Sequence, residues 1–413
     1  MDSPRDSDNK SPLSLSRTSS NTNANTNIEI SQEPDMRSHA KAADIIEACK
    51  WRDIYRLRSL AEARGGFLSD ALRRQAWPIL LGLDAPSDEK DDPDALAQED
   101  SNAWKQLPRH RDEDQVQLDV NRSFIYYPDN QSEAELSLRK SELSSLITEV
   151  LRRYPYLCYF QGYHDISQVL LLVLAPAWRA RVLARLSVLR IRDFMLPSFG
   201  PTTAQLRLLP DILHAADPKL RRHLADVEPF YALAGTLTMY AHNIETYQDI
   251  ARLFDVFLAR EPVFTVYVFA QIILDRRNEI FEIDEPDMLH VILGKVPTKM
   301  DLDELVIKSA ALFGQHPPET LSYWRHISNF SALKTARDIE TCAKQTMEEG
   351  SELFEKQVNE LHWQEMRDRI KLALWRYRRP AKTVGMALVV GALAFYLRRN
   401  PILVHRIASH FSR

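Results

Sequence analysis

A chain of 413 residues, 45% apolar and 27% charged, is long and apolar enough to bury the core of one large or two ordinary soluble domains. Its net charge of −4 provides no global field for nucleic acid, and its three scattered cysteines, Cys49, Cys158 and Cys342, fit neither a disulfide framework nor a zinc site, which makes reducing cytosol the natural compartment. Glycine is scarce, 11 residues where about 7% is average, and neither G-x-x-x-x-G-K-[ST] nor G-x-G-x-x-G occurs, so the chain is not expected to bind a nucleotide by itself.

Residues 1–41 are rich in Ser, Asn, Asp and Thr and contain no aromatic side chain, a composition expected to stay disordered and unlike a secretory signal. Helical periodicity begins at Ala42, with Ile45, Ile46, Cys49, Ile54 and Leu57 on candidate inner faces. Arg73 and Trp77 then share one helix face, which predicts a core tryptophan with an arginine stacked over it. The acidic, Pro-punctuated stretch 84–102 reads as a surface loop. Further helices are predicted over 133–153, 163–175, 181–194, 204–215, 219–226, 229–240, 246–259, 262–280 and 302–314, with prolines between or at the starts of the runs. Almost nothing alternates with period two, so the predicted class is all-α.

Two short runs carry chemistry. Val116-Gln117-Leu118-Asp119-Val120-Asn121-Arg122 reads V-x-x-D-x-x-R, and Tyr159-Phe160-Gln161-Gly162 reads Y-x-Q-G ahead of an apolar run. A guanidinium is permanently charged and matches phosphate oxygens with forked donors, while a glutamine amide can orient a water. Those are the two tasks a slow GTPase performs badly alone. One predicted helix fits between the two runs.

The pair resembles the two-finger signature of the TBC-domain Rab GTPase-activating proteins, and the resemblance extends over roughly residues 45–345. It implies a two-lobed helical domain over 42–345 that engages a Rab-family small GTPase in its GTP form. Arg122 would be the arginine finger and Gln161 the glutamine finger. Asp119 would steer Arg122, Gly162 would admit the partner's backbone, and Tyr159 and Tyr163 would frame the site and touch the GTPase. GTP and magnesium would belong to the partner, so the resemblance implies no cofactor, metal or nucleic acid for this chain. Arg73 and Trp77 match the family's structural opening motif, and Arg252 with Asp255 matches its R-x-x-D-x-x-L helix, where an i, i+3 ion pair is expected.

Two departures stand out. Met239 and Tyr240 replace the tryptophan or phenylalanine usual before that helix, which puts local groove shape in question. His164 and Asp165 follow Y-x-Q-G-Y where apolar or small residues are commoner. A hydrolase built from that pair with Cys158 or Ser167 lacks a G-x-S-x-G elbow. The Tyr163-His164-Asp165 continuation is instead similar to the membrane-anchored, endoplasmic-reticulum subgroup, which acts on Rabs of the early secretory pathway.

Beyond residue 345 the pattern changes. Residues 346–382 read as a charged juxtamembrane helix ending in Arg376, Arg378, Arg379 and Lys382. Thr383 to Leu397 carries no charge over 15 residues, followed by Arg398 and Arg399. The run is shorter than the ~20 residues of a spanning helix, but Lys382, Arg398 and Arg399 can snorkel and Tyr396 sits at an edge. It is read as a single-pass anchor over 383–399, with 400–413 a short tail and the TBC domain facing the cytosol at the endoplasmic reticulum. The competing reading is a non-catalytic, membrane-anchored scaffold that only binds a Rab.

Overall fold

The computed structural model describes residues 29–83, 103–128 and 131–399, and no strand occurs among them. The predicted loop 84–102, most of the predicted N-terminal tail and the tail 400–413 lie outside the described residues. Thirteen helices of eight residues or more are described. They are α1 (Glu29–Lys50), α2 (Ile54–Glu62), α3 (Asp70–Leu80), α4 (Glu113–Val120), α5 (Glu133–Arg153), α6 (Tyr163–Val173) and α7 (Pro176–Arg185). Then follow α8 (Leu208–Ala216), α9 (Tyr247–Ala259), α10 (Phe264–Asp275), α11 (Pro286–Leu293), α12 (Leu302–Gln315) and α13 (Met347–Arg399).

Local chemistry accounts for the boundaries. Ser132 caps α5 by accepting from the Glu135 backbone N–H while the Glu135 carboxylate accepts from the Ser132 backbone, and Arg152 and Arg153 close its last turn. α5 thereby spans the residues the periodicity assigns. Asp53 caps α2, Asp301 caps α12, and Pro176 opens α7. α1 begins at Glu29, ahead of the expected start at Ala42, but from Met36 onward its first fully buried side chain is Ile45. The predicted helix 181–194 is divided: α7 passes into a π-helical turn at Leu186–Arg190 and a 3₁₀ turn at Arg192–Met195.

α5 packs against α4, α6 and α7, and α8 and α12 pack against α10. Between them lies α9, which touches α2, α3 and α6 on one side and α12 on the other. Ile250 through Ala259 of α9 are all buried, as are Phe264 through Ile273 of α10. Helices buried on every face belong in the centre of a large core.

The polar landmarks pair differently from the sequence expectation. Asp255, fully buried, accepts from Arg73 Nε at 3.0 Å, Trp77 Nε1 at 2.9 Å and the Phe67 backbone at 2.9 Å. Arg252 turns to Asp303 at 2.9 Å and to the carbonyls of Ala61, Glu62 and Ala63. The expected Arg252–Asp255 ion pair is thus replaced by Arg73–Asp255 and Arg252–Asp303, and Arg73 joins Trp77 through a shared carboxylate. The reason is burial: a carboxylate removed from water needs several donors at once, and one neighbour on its own helix supplies too few.

The end of the domain also differs. The first turns of α13 belong to the body: Phe354 is buried with its ring 4.8 Å from that of Tyr156, and Ser351 Oγ lies 2.6 Å from Tyr156 Oη. Gln357 bridges the buried pair Arg192 (3.1 Å) and Asp193 (2.9 Å). No break separates the predicted juxtamembrane helix from the predicted anchor, because α13 runs unbroken to Arg399. Among the described residues no helix is long and apolar enough to cross a membrane. At 1.5 Å per residue, the uncharged run covers roughly 22 Å, short of the ~30 Å hydrocarbon core. The single-pass span over 383–399 is therefore not found there.

Candidate functional site

Both motif runs open onto one cleft of about 470 Å³. Its first wall is the segment Arg122 to Tyr127, its floor is Gln161 and Gly162 with the first turns of α6, and its far wall runs from Leu233 to His242.

The first wall hangs from the C-terminus of α4, a helix too short and too polar to show in the periodicity. Val116, Asp119 and Val120 are its buried face. Arg122 follows the last turn, its N–H donating to the Asp119 carbonyl at 3.0 Å. The Arg122 side chain is 63% exposed, yet its guanidinium donates to the carboxylate of Asp119, which is fully buried. A fixed carboxylate beneath a mobile guanidinium limits the volume the charge explores. Gln115 donates to the same carboxylate at 3.1 Å and the Tyr159 hydroxyl donates to it at 2.9 Å.

The floor is set by Gly162, which caps α6 at φ +103°, in the left-handed region that favours glycine. A Cβ there would meet Thr238 Cγ2 at 2.6 Å. Gly162 thus serves its own loop, seating the chain against the far wall, where the sequence suggested room for a partner's backbone. Gln161, immediately before it, is exposed to the cleft.

Tyr159 and Tyr163 diverge. Tyr159 is half-buried and ties the two motif loops together: its N–H donates to Asp112 at 2.9 Å and its hydroxyl to Asp119. Burial and the neighbouring Asp119 push its phenol well above the usual range, so it remains a donor. Tyr163 is fully buried, its hydroxyl 2.6 Å from Ser187 Oγ and its ring 5.6 Å from that of Phe160. It supports the floor from below and cannot touch a partner as expected. The first residue of α6 must face the core once Gly162 has turned the chain.

Several site residues carried no recognised signal. Gln168 on α6 accepts from the Phe124 N–H at 2.9 Å, pinning the segment that follows Arg122. The Tyr127 hydroxyl donates to the Ala241 carbonyl at 3.4 Å, joining first wall to far wall. His242 stands on the far wall with Nδ1 3.1 Å from Asp165, which also lies 3.2 Å from His164 Nε2. The hydrogen bond to Asp165 raises the His242 pKa, whereas burial lowers that of His164. Met239 and Tyr240, expected to reshape the groove, are instead core residues: Tyr240 stacks on Phe257 at 5.5 Å and donates to the Thr265 carbonyl. Among the described residues no group of three His, Cys, Asp or Glu side chains could hold a metal ion.

The Rab-GTPase-TBC domain family matches this chain over residues 70–281. GTPase-activating protein gyp10 of Schizosaccharomyces pombe is 34% identical over 295 residues, covering 69% of this chain and 76% of that protein. TBC1 domain family member 20 is 32% identical over 287 residues in Bos taurus, covering 68% and 69% of the two chains. In Homo sapiens it is 31% identical over 299 residues, covering 71% and 72%. Among solved structures, the Ypt/Rab-GAP domain of Gyp1p superposes with a TM-score of 0.52 at 17% identity, covering 62% of this chain and 92% of that one, a likeness of fold. The chain therefore belongs to the Rab-GTPase-TBC domain family and is a TBC-domain protein of the Rab GTPase-activating kind.

Proposed function

We propose that this protein accelerates GTP hydrolysis on a Rab of the early secretory pathway by supplying Arg122 and Gln161 in trans. Arg122 stabilises the charge that develops on the transferring γ-phosphoryl group, and Gln161 orients the attacking water. The observation that carries this reading is that the two side chains, exposed and on separate loops, open onto one cleft, with Arg122 held by a buried carboxylate. GTP and magnesium arrive with the Rab, and no cofactor is assigned to this chain. We place its site of action at the endoplasmic-reticulum membrane, on the cytosolic side. The Tyr163-His164-Asp165 continuation supports that placement. So does the exposed apolar end of α13, from Met386 to Tyr396 beside Arg398 and Arg399, which suits contact with a lipid surface without a span.

The test is GTP hydrolysis across a panel of GTP-loaded Rabs with the full chain. At least one Rab should be stimulated, and Arg122→Ala and Gln161→Ala should each remove most of a stimulation expected at roughly 10³ to 10⁵-fold. A wild type inert toward every Rab, or two variants with full activity, would sink the reading.

A further inference from the structure

Three short contacts beside the cleft compete for too few hydrogens. Tyr159 Oη lies 2.9 Å from Asp119 Oδ2 and 3.2 Å from His164 Nδ1, and His164 Nε2 lies 3.2 Å from Asp165 Oδ1. Filling all three requires three hydrogens. The phenol supplies one and a neutral imidazole supplies one, whereas an imidazolium supplies two. A neutral His164 therefore leaves one contact without a hydrogen.

Which contact fails follows from the acceptors. A neutral ring gains most by pointing Nε2–H at the Asp165 carboxylate, since Asp165 is the nearest carboxylate to it. Nδ1 is then an acceptor and competes with Asp119 for the Tyr159 hydrogen, weakening the Tyr159–Asp119 bond without removing it, since Asp119 is the nearer and the charged acceptor. With a second proton, Nδ1–H donates to Tyr159, whose own hydrogen goes to Asp119 Oδ2. The other carboxylate oxygen, Oδ1, is the one that holds Arg122.

We propose that His164 is a positioning residue for Arg122: the number of protons it carries sets how firmly Tyr159 holds Asp119, and hence how firmly Asp119 holds the arginine. The inference rests on the reading of Arg122 as the arginine finger. It also assigns a role to the His-Asp pair that sets this motif apart, with Asp165 fixing the ring from the other side and His242 completing the line at the far wall. The charged and titratable groups facing His164 are Asp119 and Arg122 from the α4 side, Tyr159 from the preceding loop, Asp165 on its own helix, and His242. Burial opposes the second proton most strongly and lowers the His164 pKa; Asp165 and Asp119 favour that proton, and His242 and Arg122 oppose it. Stimulated hydrolysis is then fastest where His164 is charged and falls as pH rises through its titration, because the Tyr159–Asp119 hydrogen bond is weakened.

Two readouts test this on the full chain. The first needs no Rab. The Arg122 Nε–H resonance is followed from about pH 5 to 8, around the ordinary histidine range, together with the His164 ring. The Arg122 signal should move with the His164 midpoint and stay still in Tyr159→Phe, which keeps the packing, and in His164→Gln. An Arg122 signal that ignores the His164 titration, or still follows it in Tyr159→Phe, overturns the proposal. The second is single-turnover hydrolysis on a responding Rab. The ratio of wild type to Tyr159→Phe in kcat should fall about threefold across that range, the weakening of one hydrogen bond, with KM nearly constant. A flat ratio, or a change confined to KM, also overturns it. If Arg122→Ala proves fully active, the GTPase-activating reading fails, while the resonance experiment still decides the proton linkage.

Discussion

Replacing Gly162 by alanine perturbs the floor of the cleft at one atom, and the consequences can be worked from the structure. The added Cβ would stand 2.6 Å from Thr238 Cγ2. Ordinary carbon contacts lie at about 3.5–4.0 Å, so one wall must give by about 1 Å. The backbone adds a second cost, because φ is +103° and a side chain in the left-handed region loses roughly 1–2 kcal/mol. Overpacking of this kind costs typically about 1–3 kcal/mol. Gly162→Ala should therefore destabilise the protein by about 2–4 kcal/mol, in urea denaturation, as the two costs partly relieve each other. The effect on activity should be larger than stability alone implies. Gln161 is the adjacent residue, and a displacement near 1 Å of a positioned group can cost about 10²-fold in rate.

The clash and the backbone cost can be separated. Thr238→Ser removes Cγ2 but keeps the hydroxyl, which donates to the Ala234 carbonyl at 2.7 Å and accepts from the His242 N–H at 3.3 Å. In the double variant the overpacking portion should return and the backbone portion should remain, leaving a deficit of about 1–2 kcal/mol. Stimulated Rab hydrolysis should recover in parallel. If Gly162→Ala matches wild type in both assays, or if Thr238→Ser restores neither, then Gly162 is not what seats Gln161.

Two further outcomes follow from neighbouring contacts. Phe354→Ala should cost about 3–5 kcal/mol by urea denaturation, because the ring is buried against Tyr156, which precedes the Gln161 loop; a loss below about 1 kcal/mol would mean that α13 only lies alongside the domain. Glu113, which takes Arg152 Nε at 2.7 Å and Nη2 at 2.9 Å, has its carboxyl pKa held below the usual 4.5, chiefly by that hydrogen bond. Because the folded value is the lower one, the pair's stabilisation is present above 4.5 and is lost as pH falls through the folded value. The melting-temperature gap between wild type and Glu113→Gln should thus persist at neutral pH and close below 4.5, whereas a gap constant across that range would show that the ion pair contributes nothing.

What could be read from the sequence was what depends on near neighbours. α5 announces both its ends, since Ser132 and Glu135 form a capping box and the amphipathic stripe between them repeats regularly. The two motif runs that line the cleft were legible because short, fixed spacings carry them. What was hidden depends on distant residues. Arg252 and Asp255 look like a pair at i, i+3, but Asp255 is met by Arg73, Trp77 and Phe67 from a different part of the chain. The packing of α13 on the body was hidden for the same reason: α13 reads as a charged helix, and only the buried Arg192 and Asp193 show why Gln357 must be there.

That division also explains why Arg122 and Gln161 alone do not make the site. Arg122 is exposed, so nothing about its own burial fixes its direction; Asp119 does, and Asp119 is in turn held by Gln115 and Tyr159. Tyr159 belongs to the second motif, two residues before Gln161. A change in the glutamine loop is therefore felt at the arginine through one phenol. The segment after Arg122 returns the dependence, because the Phe124 N–H donates to Gln168 of α6, the helix that Gly162 begins. Two loops tied by hydrogen bonds in both directions move as one unit or lose those bonds. Substitutions at Tyr159 and Gln168 should therefore be non-additive with each other, each already releasing what the other holds. A double-mutant cycle on stimulated hydrolysis that came out strictly additive would mean the two loops are positioned independently.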